Sequence, residues 1–539
     1  MQPILLLAAL LLLLTVLGCA IVVWQSGSSR YWLVPLILCA LSALVIFPEE
    51  AANFPVSDGI EYAIGAARLA HEHSYSLLLH GQSYSPRYDP GFSLFLSPLY
   101  AFFGDHLGVG VYVVTFFSVC GGLAAFSIGA LVGGVFGGLF AFLFVVSLGS
   151  FRYFGTQILT DVPSATLGLL LGLLYLALTK NQKDKKSPHI YLLVGFLIGV
   201  ASSFRPTNIF FILPFLFLLP REKKESSLFL VFPVLISVVL SLTYHREVFG
   251  HLLRTGYHYW TSVPYDSLSL VFNINYFEAN FQTALPVFQA LILLLLLVFV
   301  LRCPAQEACM LPDERVLFRR ISLYVFLTAT PTILVYLFYF YSSPRFFLYP
   351  LMSVGILLAG RLGGRIRVSS KVEKGALFFA LLVSLAAVYM RSSYTVMDSD
   401  ERYQNLLSLR GDLPRDATLI TSENPALVEY IVRTSPQQQI VPLSRKSEYA
   451  SKCVAPESLT QSIRDNDILD PFAHRSLELL QAGCLEVYDW VAQEGLNHIQ
   501  KRIKEGDRVF ISSHEEWRDE MFTYTLFKGS LLELKLGKY

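Results

Sequence analysis

Apolar runs close to the length of a bilayer crossing recur along this chain from its N-terminus to about Arg391. A helix needs about 20 apolar residues to cross some 30 Å of hydrocarbon. A chain that repeats such runs can satisfy its backbone as a bundle of helices in a membrane. Candidate spans are 4–24, 31–47, 109–131, 133–149, 163–179, 190–204, 208–219, 227–244, 285–301, 321–341, 346–360 and 375–391, about twelve in all. A further apolar piece, 92–103, is short and follows Pro90-Gly91, so it reads as interfacial. Charged residues make up 15% of the chain, against about 25% in soluble domains. The expected fold class is therefore a polytopic α-helical membrane protein. No basic stripe suggests nucleic acid.

Residues 1–24 share the apolarity of a signal peptide but lack its basic n-region. The stretch Val16-Leu17-Gly18-Cys19 is only a loose match to a lipoprotein cleavage site, and the segment reads as a retained first span. The seven cysteines, at 19, 39, 120, 303, 309, 453 and 484, form no C-x-x-C pair and no zinc spacing. Cys303 and Cys309 read as free thiols. Cys453 and Cys484 are the two cysteines of the polar C-terminal third and can pair if that third faces an oxidising compartment.

Orientation follows from basic residues in the short loops. Lys180 to Lys186 carries four lysines, and Arg221, Lys223 and Lys224 follow. Arg302, Arg315, Arg319 and Arg320 occupy a third loop, and Arg361, Arg365, Arg367, Lys371 and Lys374 a fourth. These loops alternate with the others, so all four fit one cytoplasmic side. Loops 48–108, 150–162, 205–207, 245–284 and 342–345 then face outward, as does the tail 392–539. The tail reads as strands at 417–421, 439–443, 508–512 and the last residues, with helices at 424–433 and 484–504. This pattern predicts one small extracytoplasmic α/β domain over 392–539, beside a membrane module over 1–391. The tail carries no glycine-rich phosphate loop and no nucleophile elbow, which favours a structural or acceptor-shaping role.

The expensive polar groups collect on the outward loops. Asp58, Glu61, Arg68, Arg87 and Asp89 lie in the first loop, and Arg152 and Asp161 bracket the second. Arg205 lies in Phe204-Arg205-Pro206-Thr207, while His245, Arg246, His251, Arg254, Tyr257 and His258 lie near the fourth loop. Arg345 lies in Ser343-Pro344-Arg345-Phe346. Each has a structural reading beside the functional one. Asp58 with Glu61 three residues on is a capping-box pattern, Asp161-Val162-Pro163 is a helix start signal, and single arginines at span ends often snorkel to the interface. The histidines have no metal spacing such as H-E-x-x-H, and no cofactor or metal site is expected from the motifs.

Ser57-Asp58-Gly59-Ile60-Glu61-Tyr62, with Tyr84 to Gly91 and the 92–103 segment, resembles the first outer loop of the GT-C membrane glycosyltransferases. The resemblance points to bacterial relatives of protein O-mannosyltransferases and of the lipid A aminoarabinose transferase. Leu159-Thr160-Asp161-Val162-Pro163, Phe204-Arg205-Pro206-Thr207, Val248-Phe249-Gly250 through Thr255-Gly256-Tyr257, and Pro344-Arg345-Phe346 are similar to later segments of that group, in order. The match covers roughly residues 50–360. The resemblance implies inverting transfer of a sugar from a polyprenyl-phosphate donor to a lipid, glycan or protein acceptor, at the outer face of the bacterial cytoplasmic (inner) membrane. It places the general base on Asp58, with Glu61 in support. This chain departs from members with two adjacent acids, because Gly59 follows Asp58. It also carries two spans before the loop instead of one.

That chemistry needs no general acid, since a lipid phosphate is already a good leaving group, but it needs cations for the departing charge. Bidentate arginine suits this role. Arg205 and Arg345 are the candidates, with Arg254 and His245 behind them. Asp161, Tyr62, Arg87 and Tyr257 are the candidates for sugar or acceptor. Two other functions fit parts of the sequence: a polysaccharide polymerase or ligase using lipid-linked sugars, and a secondary transporter. Transporters place ionisable or helix-breaking residues near the bilayer midplane and often repeat internally. Here the span centres are almost free of charge and the halves are not alike.

Overall fold

The computed structural model describes residues 55, 58–79, 82–104, 107–180, 189–218, 224–256, 268–300, 312–366, 397–421, 423–442, 448–451, 485–487, 493–513, 520 and 522–537. The expected spans 4–24, 31–47 and 375–391, the candidate Tyr257 and the expected Cys453–Cys484 pair lie outside the described residues, as do Cys303 and Cys309. The chain divides into two compact units. The first takes its described residues from Gly108–Thr243 and Phe272–Val396, the second from Asn53–Leu107, Tyr244–Val271 and Met397–Tyr539.

The first unit is helical. Five helices among the described residues are long and apolar enough to cross a membrane: Val109–Ser147, Asp161–Thr179, Ser226–Phe249, Val316–Phe338 and Pro344–Gly364. Shorter apolar helices occupy His189–Phe204 and Pro206–Leu218. Val109–Ser147 is not a single rod. Gly133 (φ −136°, ψ 20°) and Gly134 (φ 68°, ψ −166°) leave helical geometry, and Gly134 adopts a left-handed φ that side chains resist. Gly129 then meets Gly137, and Gly122 meets Phe142. The legs therefore run antiparallel, as the expected spans 109–131 and 133–149 require.

The turn of this hairpin packs backbone to backbone on the Leu348–Ile366 helix. A Cβ on Gly133 would lie 1.8 Å from the Gly360 carbonyl oxygen, and one on Gly363 would lie 2.2 Å from the Gly137 nitrogen. Lipid tails are as apolar as leucine, so close packing through small residues is what joins helices in a bilayer. Deeper in the core, buried hydroxyls find partners. Tyr324 donates to the Gly168 carbonyl at 2.7 Å, and the Tyr349 and Thr328 hydroxyls are 2.6 Å apart. Along Lys224–Phe249 the exposed face carries Leu228, Phe232, Leu235, Val239 and Leu240, the composition of a lipid-facing surface.

The second unit begins with the helix Gly59–Glu72, which buries Ile60, Ala63, Ile64 and Ala67 and ends at the left-handed His73. A short hairpin follows, β1 (Leu77–Leu79) and β2 (Gln82–Tyr84). The helix Gly91–Phe103 then buries Phe92, Leu96 and Tyr100 at four-residue spacing and packs on the first helix. Its other face exposes Leu94, Phe95 and Phe102, consistent with an interfacial position.

After the helix Met397–Asp412, the tail forms β3 (Thr418–Thr421), β4 (Gln439–Pro442), β5 (Glu448–Ser451), β6 (Leu485–Val487), β7 (Val509–Ser512), β8 (Phe522–Lys528) and β9 (Leu531–Leu536). Five of these make one sheet in the order β4-β3-β7-β9-β8, with β3 parallel to both neighbours and β9 antiparallel to β7 and β8. Central β3 and β7 are buried on both faces, which explains their unbroken apolar and β-branched sequences. The expected helix over 484–504 is corrected: Leu485–Val487 pairs with β5, and the described helix is Gln493–Lys504. The short helix Pro425–Ile431, capped by the Asn424 side chain, packs on β1 and on the Gly59–Glu72 helix. Tail and first loop thus share one unit.

Candidate functional site

Two groups of charged side chains gather the candidates, one in each unit. In the second unit, Asp58 stands just before the Gly59–Glu72 helix with φ −59°, and its side chain makes no capping bond. The capping box is therefore not built. Glu61 turns instead to Arg87 and receives its backbone N–H at 2.8 Å, its Nε at 2.5 Å and its Nη2. The Arg87 Nη2 also lies 3.8 Å from the Asp58 Oδ1. Burial pushes the Glu61 carboxyl upward, an effect the adjoining Arg87 opposes. Burial works against the charge on Arg87, but Glu61, Tyr88 and Asp58 outweigh it and hold the guanidinium firmly charged. Arg87, expected to bind sugar or acceptor, pairs with Glu61. Tyr62 is buried, with its ring stacked on Tyr88 at 4.7 Å and edge-on to Phe92 at 5.3 Å.

His245, expected behind the phosphate ligands, joins the first loop instead. Its Nε2 is 2.6 Å from the Asp89 Oδ1, and its Nδ1 is 3.2 Å from the Leu252 carbonyl oxygen. Both partners are acceptors, so the ring satisfies both only with a proton on each nitrogen. The 156 residues between His245 and Asp89 left no spacing signal for this pair. Arg254 is half-buried on the following turn, its N–H donating to the His251 carbonyl at 3.2 Å.

The first unit brings three candidates together. Asp161 opens the Asp161–Lys180 helix. The side chain is buried, with Arg205 Nη2 2.7 Å from its Oδ1 and Arg345 Nη1 4.0 Å from its Oδ2. Two prolines aim these arginines. Arg205 ends its helix in an extended conformation (φ −147°, ψ 124°), as the residue before Pro206 prefers, and a 3-10 turn Pro206–Phe211 follows. Ser343 is likewise extended before Pro344, which opens the 3-10 turn Pro344–Phe347 carrying Arg345. Both guanidiniums lie against Phe346, with Cζ-to-centroid distances of 5.1 Å for Arg205 and 5.5 Å for Arg345. Tyr336 stacks on Phe346 at 4.7 Å. Sequence reasoning missed this aromatic pair, although Phe346 adjoins Arg345. One buried carboxylate with two partly exposed guanidiniums gathers several N–H donors at one place, an arrangement suited to an oxyanion.

This cluster lies at one end of the first unit's helices, and the basic residues Arg320 and Arg361 lie at the other. Arg320 donates to the Thr179 carbonyl, and Arg361 lies over the Phe318 ring at 5.2 Å. The C-terminal ends of the helices Asp161–Lys180 and Leu348–Ile366 therefore meet the N-terminal part of Pro312–Phe338. Asp161, Tyr336 and Arg345 belong to the opposite ends of the same three helices. At 1.5 Å per residue the two ends are about 27 Å apart, close to a hydrocarbon thickness.

No family model and no curated protein sequence matches this chain. Solved structures do. ArnT from Cupriavidus metallidurans bound to undecaprenyl phosphate is similar to it with a TM-score of 0.53 at 11% identity, covering 93% of this chain and 97% of that one. The apo state of the same protein gives a TM-score of 0.53 at 10% identity with the same coverage. The Archaeoglobus fulgidus oligosaccharyltransferase tethered with an acceptor peptide aligns at a TM-score of 0.43 and 12% identity, covering 77% of this chain and 64% of that one. This chain shares the fold of ArnT, in line with the resemblance carried by its outer-loop segments.

Proposed function

We propose that the chain is an integral membrane glycosyltransferase that moves a sugar from a polyprenyl-phosphate carrier to an acceptor hydroxyl, with inversion, at the extracytoplasmic face of the bacterial inner membrane. The observation that carries this reading is the Asp161–Arg205–Arg345 cluster, at the end of its helices opposite the basic residues Arg320 and Arg361. By the positive-inside rule, the end with Arg320 and Arg361 is cytoplasmic and the cluster faces outward. In support, ArnT, whose fold this chain shares, was crystallised with undecaprenyl phosphate.

In the proposed reaction Asp58 takes the proton of the acceptor hydroxyl as its oxygen bonds to the sugar's anomeric carbon from the face opposite the phosphate. The bond between that carbon and the phosphate oxygen breaks, and its electron pair stays on the polyprenyl phosphate. Arg205 and Arg345 receive that charge with donors that Asp161 has already turned toward it, so little reorganisation accompanies the step. Glu61 acts through Arg87: by holding the guanidinium it keeps Arg87 from pairing tightly with Asp58, and so preserves the basicity of Asp58. His245 and Asp89 brace the segment carrying Arg254, whose own role would be secondary to the two cluster arginines. Tyr62 supports the loop from within. The tail 392–539, as an extracytoplasmic α/β domain, would shape the acceptor side.

The test is a transfer assay on the purified full chain, with a panel of polyprenyl-phosphate sugars and with lipid, glycan and peptide acceptors. Glycosylated acceptor of inverted anomeric configuration, released together with polyprenyl phosphate, is expected. Facilitated movement of a solute across proteoliposomes without transfer would replace this reading with transport. Growth of a glycan chain on the lipid carrier itself would replace it with a polymerase.

A further inference from the structure

The two guanidiniums of the cluster rest on an aromatic plate, and that plate is held from a distance. Tyr336 stacks on Phe346 at 4.7 Å and 26°, and its centroid lies 5.9 Å from the Arg205 Cζ. Its hydroxyl lies 3.1 Å from the Thr207 hydroxyl, two residues beyond Arg205. Tyr336 belongs to the last turn of the Pro312–Phe338 helix, where the carbonyls have no partners within the helix. Asn280, buried on the neighbouring Phe277–Val300 helix, supplies a partner in trans. Its Nδ2 faces the carbonyls of Tyr336, Leu337 and Tyr339 at 3.2, 3.1 and 2.6 Å. The Phe338 carbonyl accepts from the Asn273 N–H at 2.9 Å. Two asparagines thus close a helix end more than fifty residues away in sequence.

We propose that Asn280 is a positioning residue for recognition of the donor's phosphate: it fixes the helix end that presents Tyr336, and Tyr336 with Phe346 holds the forks of Arg205 and Arg345 in place. The inference rests on the reading of those arginines as phosphate ligands. An arginine has many rotamers to lose when it binds an anion, and a guanidinium already packed on an aromatic face loses fewer. Removing the plate or its brace therefore weakens phosphate binding without touching a group that contacts phosphate.

The experiment measures binding of undecaprenyl phosphate to the full chain in detergent, together with kcat and KM for the donor and the thermal unfolding midpoint. Asn280→Ala and Tyr336→Leu are each expected to raise Kd and KM about tenfold, with kcat at saturating donor within about twofold of the native chain. Tyr336→Phe keeps the ring and is expected to bind within about twofold of the native chain. If Asn280→Ala does not fold, the contrast between Tyr336→Leu and Tyr336→Phe decides. A fall in the unfolding midpoint with unchanged Kd in Asn280→Ala and Tyr336→Leu reduces these residues to scaffold and overturns the inference. Arg205→Ala and Arg345→Ala separate the two levels. If they lose binding while Asn280→Ala and Tyr336→Leu keep it, this inference alone falls. If they bind like the native chain, the donor-phosphate reading falls and takes the inference with it.

Discussion

The charged group in the first loop and the one at the helix ends are built from the same residue types in opposite proportion. In the first group two carboxylates, Asp58 and Glu61, meet one guanidinium, Arg87. In the second, two guanidiniums, Arg205 and Arg345, meet one carboxylate, Asp161. In each group the member in the minority sits at a close hydrogen bond to one majority member and 3.8 to 4.0 Å from the other. If the closer contact in each group is the bracing one, Asp58 is the proposed base of the first group, and Arg345, at the longer distance, is expected to contribute more to donor binding than Arg205.

The sharpest break of this comparison is Asp58→Asn. If Asp58 is the base, transfer should fall by about 10²- to 10⁴-fold, the range a positioned general base supplies. Undecaprenyl phosphate binding should stay at the native level, because the proposed phosphate ligands, Arg205 and Arg345, belong to the other group. Steady-state transfer and a direct binding measurement read the two halves separately. Native transfer rates in Asp58→Asn would remove Asp58 from the chemistry, and lost donor binding would mean the two groups do not divide the work.

The arginines come next. Arg345→Ala should weaken donor binding about 30-fold and Arg205→Ala about tenfold, from charge-assisted bonds worth about 1.5–3 kcal/mol each. The double variant should fall short of the product of the two effects, since both arginines depend on Asp161. Titration of the lipid phosphate against the four proteins measures this. A larger loss from Arg205 would reverse the assignment made from the distances.

Much of the fold was legible because the bilayer imposes length on its helices. The break at Gly133-Gly134 could be read as a span boundary, and the central strands β3 and β7 of the tail could be read from apolar and β-branched runs. The basic loops also gave a directional signal: Lys180, Arg320 and Arg361 belong to helix ends that meet. Partners were not legible. Glu61 was paired with Asp58 because three residues separate them, a relation that matters only within a helix. The chain instead folds Arg87 back over 26 residues to Glu61. Asp161 and Arg205 are 44 residues apart, and Asn280 and Tyr336 are 56 apart, distances over which periodicity carries no information. The aromatic plate was hidden for another reason: in a chain with 41 phenylalanines and 28 tyrosines, one Tyr–Phe contact does not stand out.

The smallest expected effect is also the most diagnostic of how the first group works. Glu61→Gln keeps shape and one acceptor but removes the charge that holds Arg87. The guanidinium can then turn to Asp58, already 3.8 Å from its Nη2. A closer pairing stabilises the ionised form of Asp58 and makes it a weaker base. Transfer should fall about three- to tenfold, corresponding to roughly 0.7–1.4 kcal/mol of barrier. The loss should be partly reversed by adding Arg87→Gln, which removes the competing cation. Rates of the native chain, the two single variants and the double variant form a cycle that isolates the coupling. A Glu61→Gln loss as deep as that of Asp58→Asn, with no recovery in the double variant, would make Glu61 the proton acceptor and Asp58 its support.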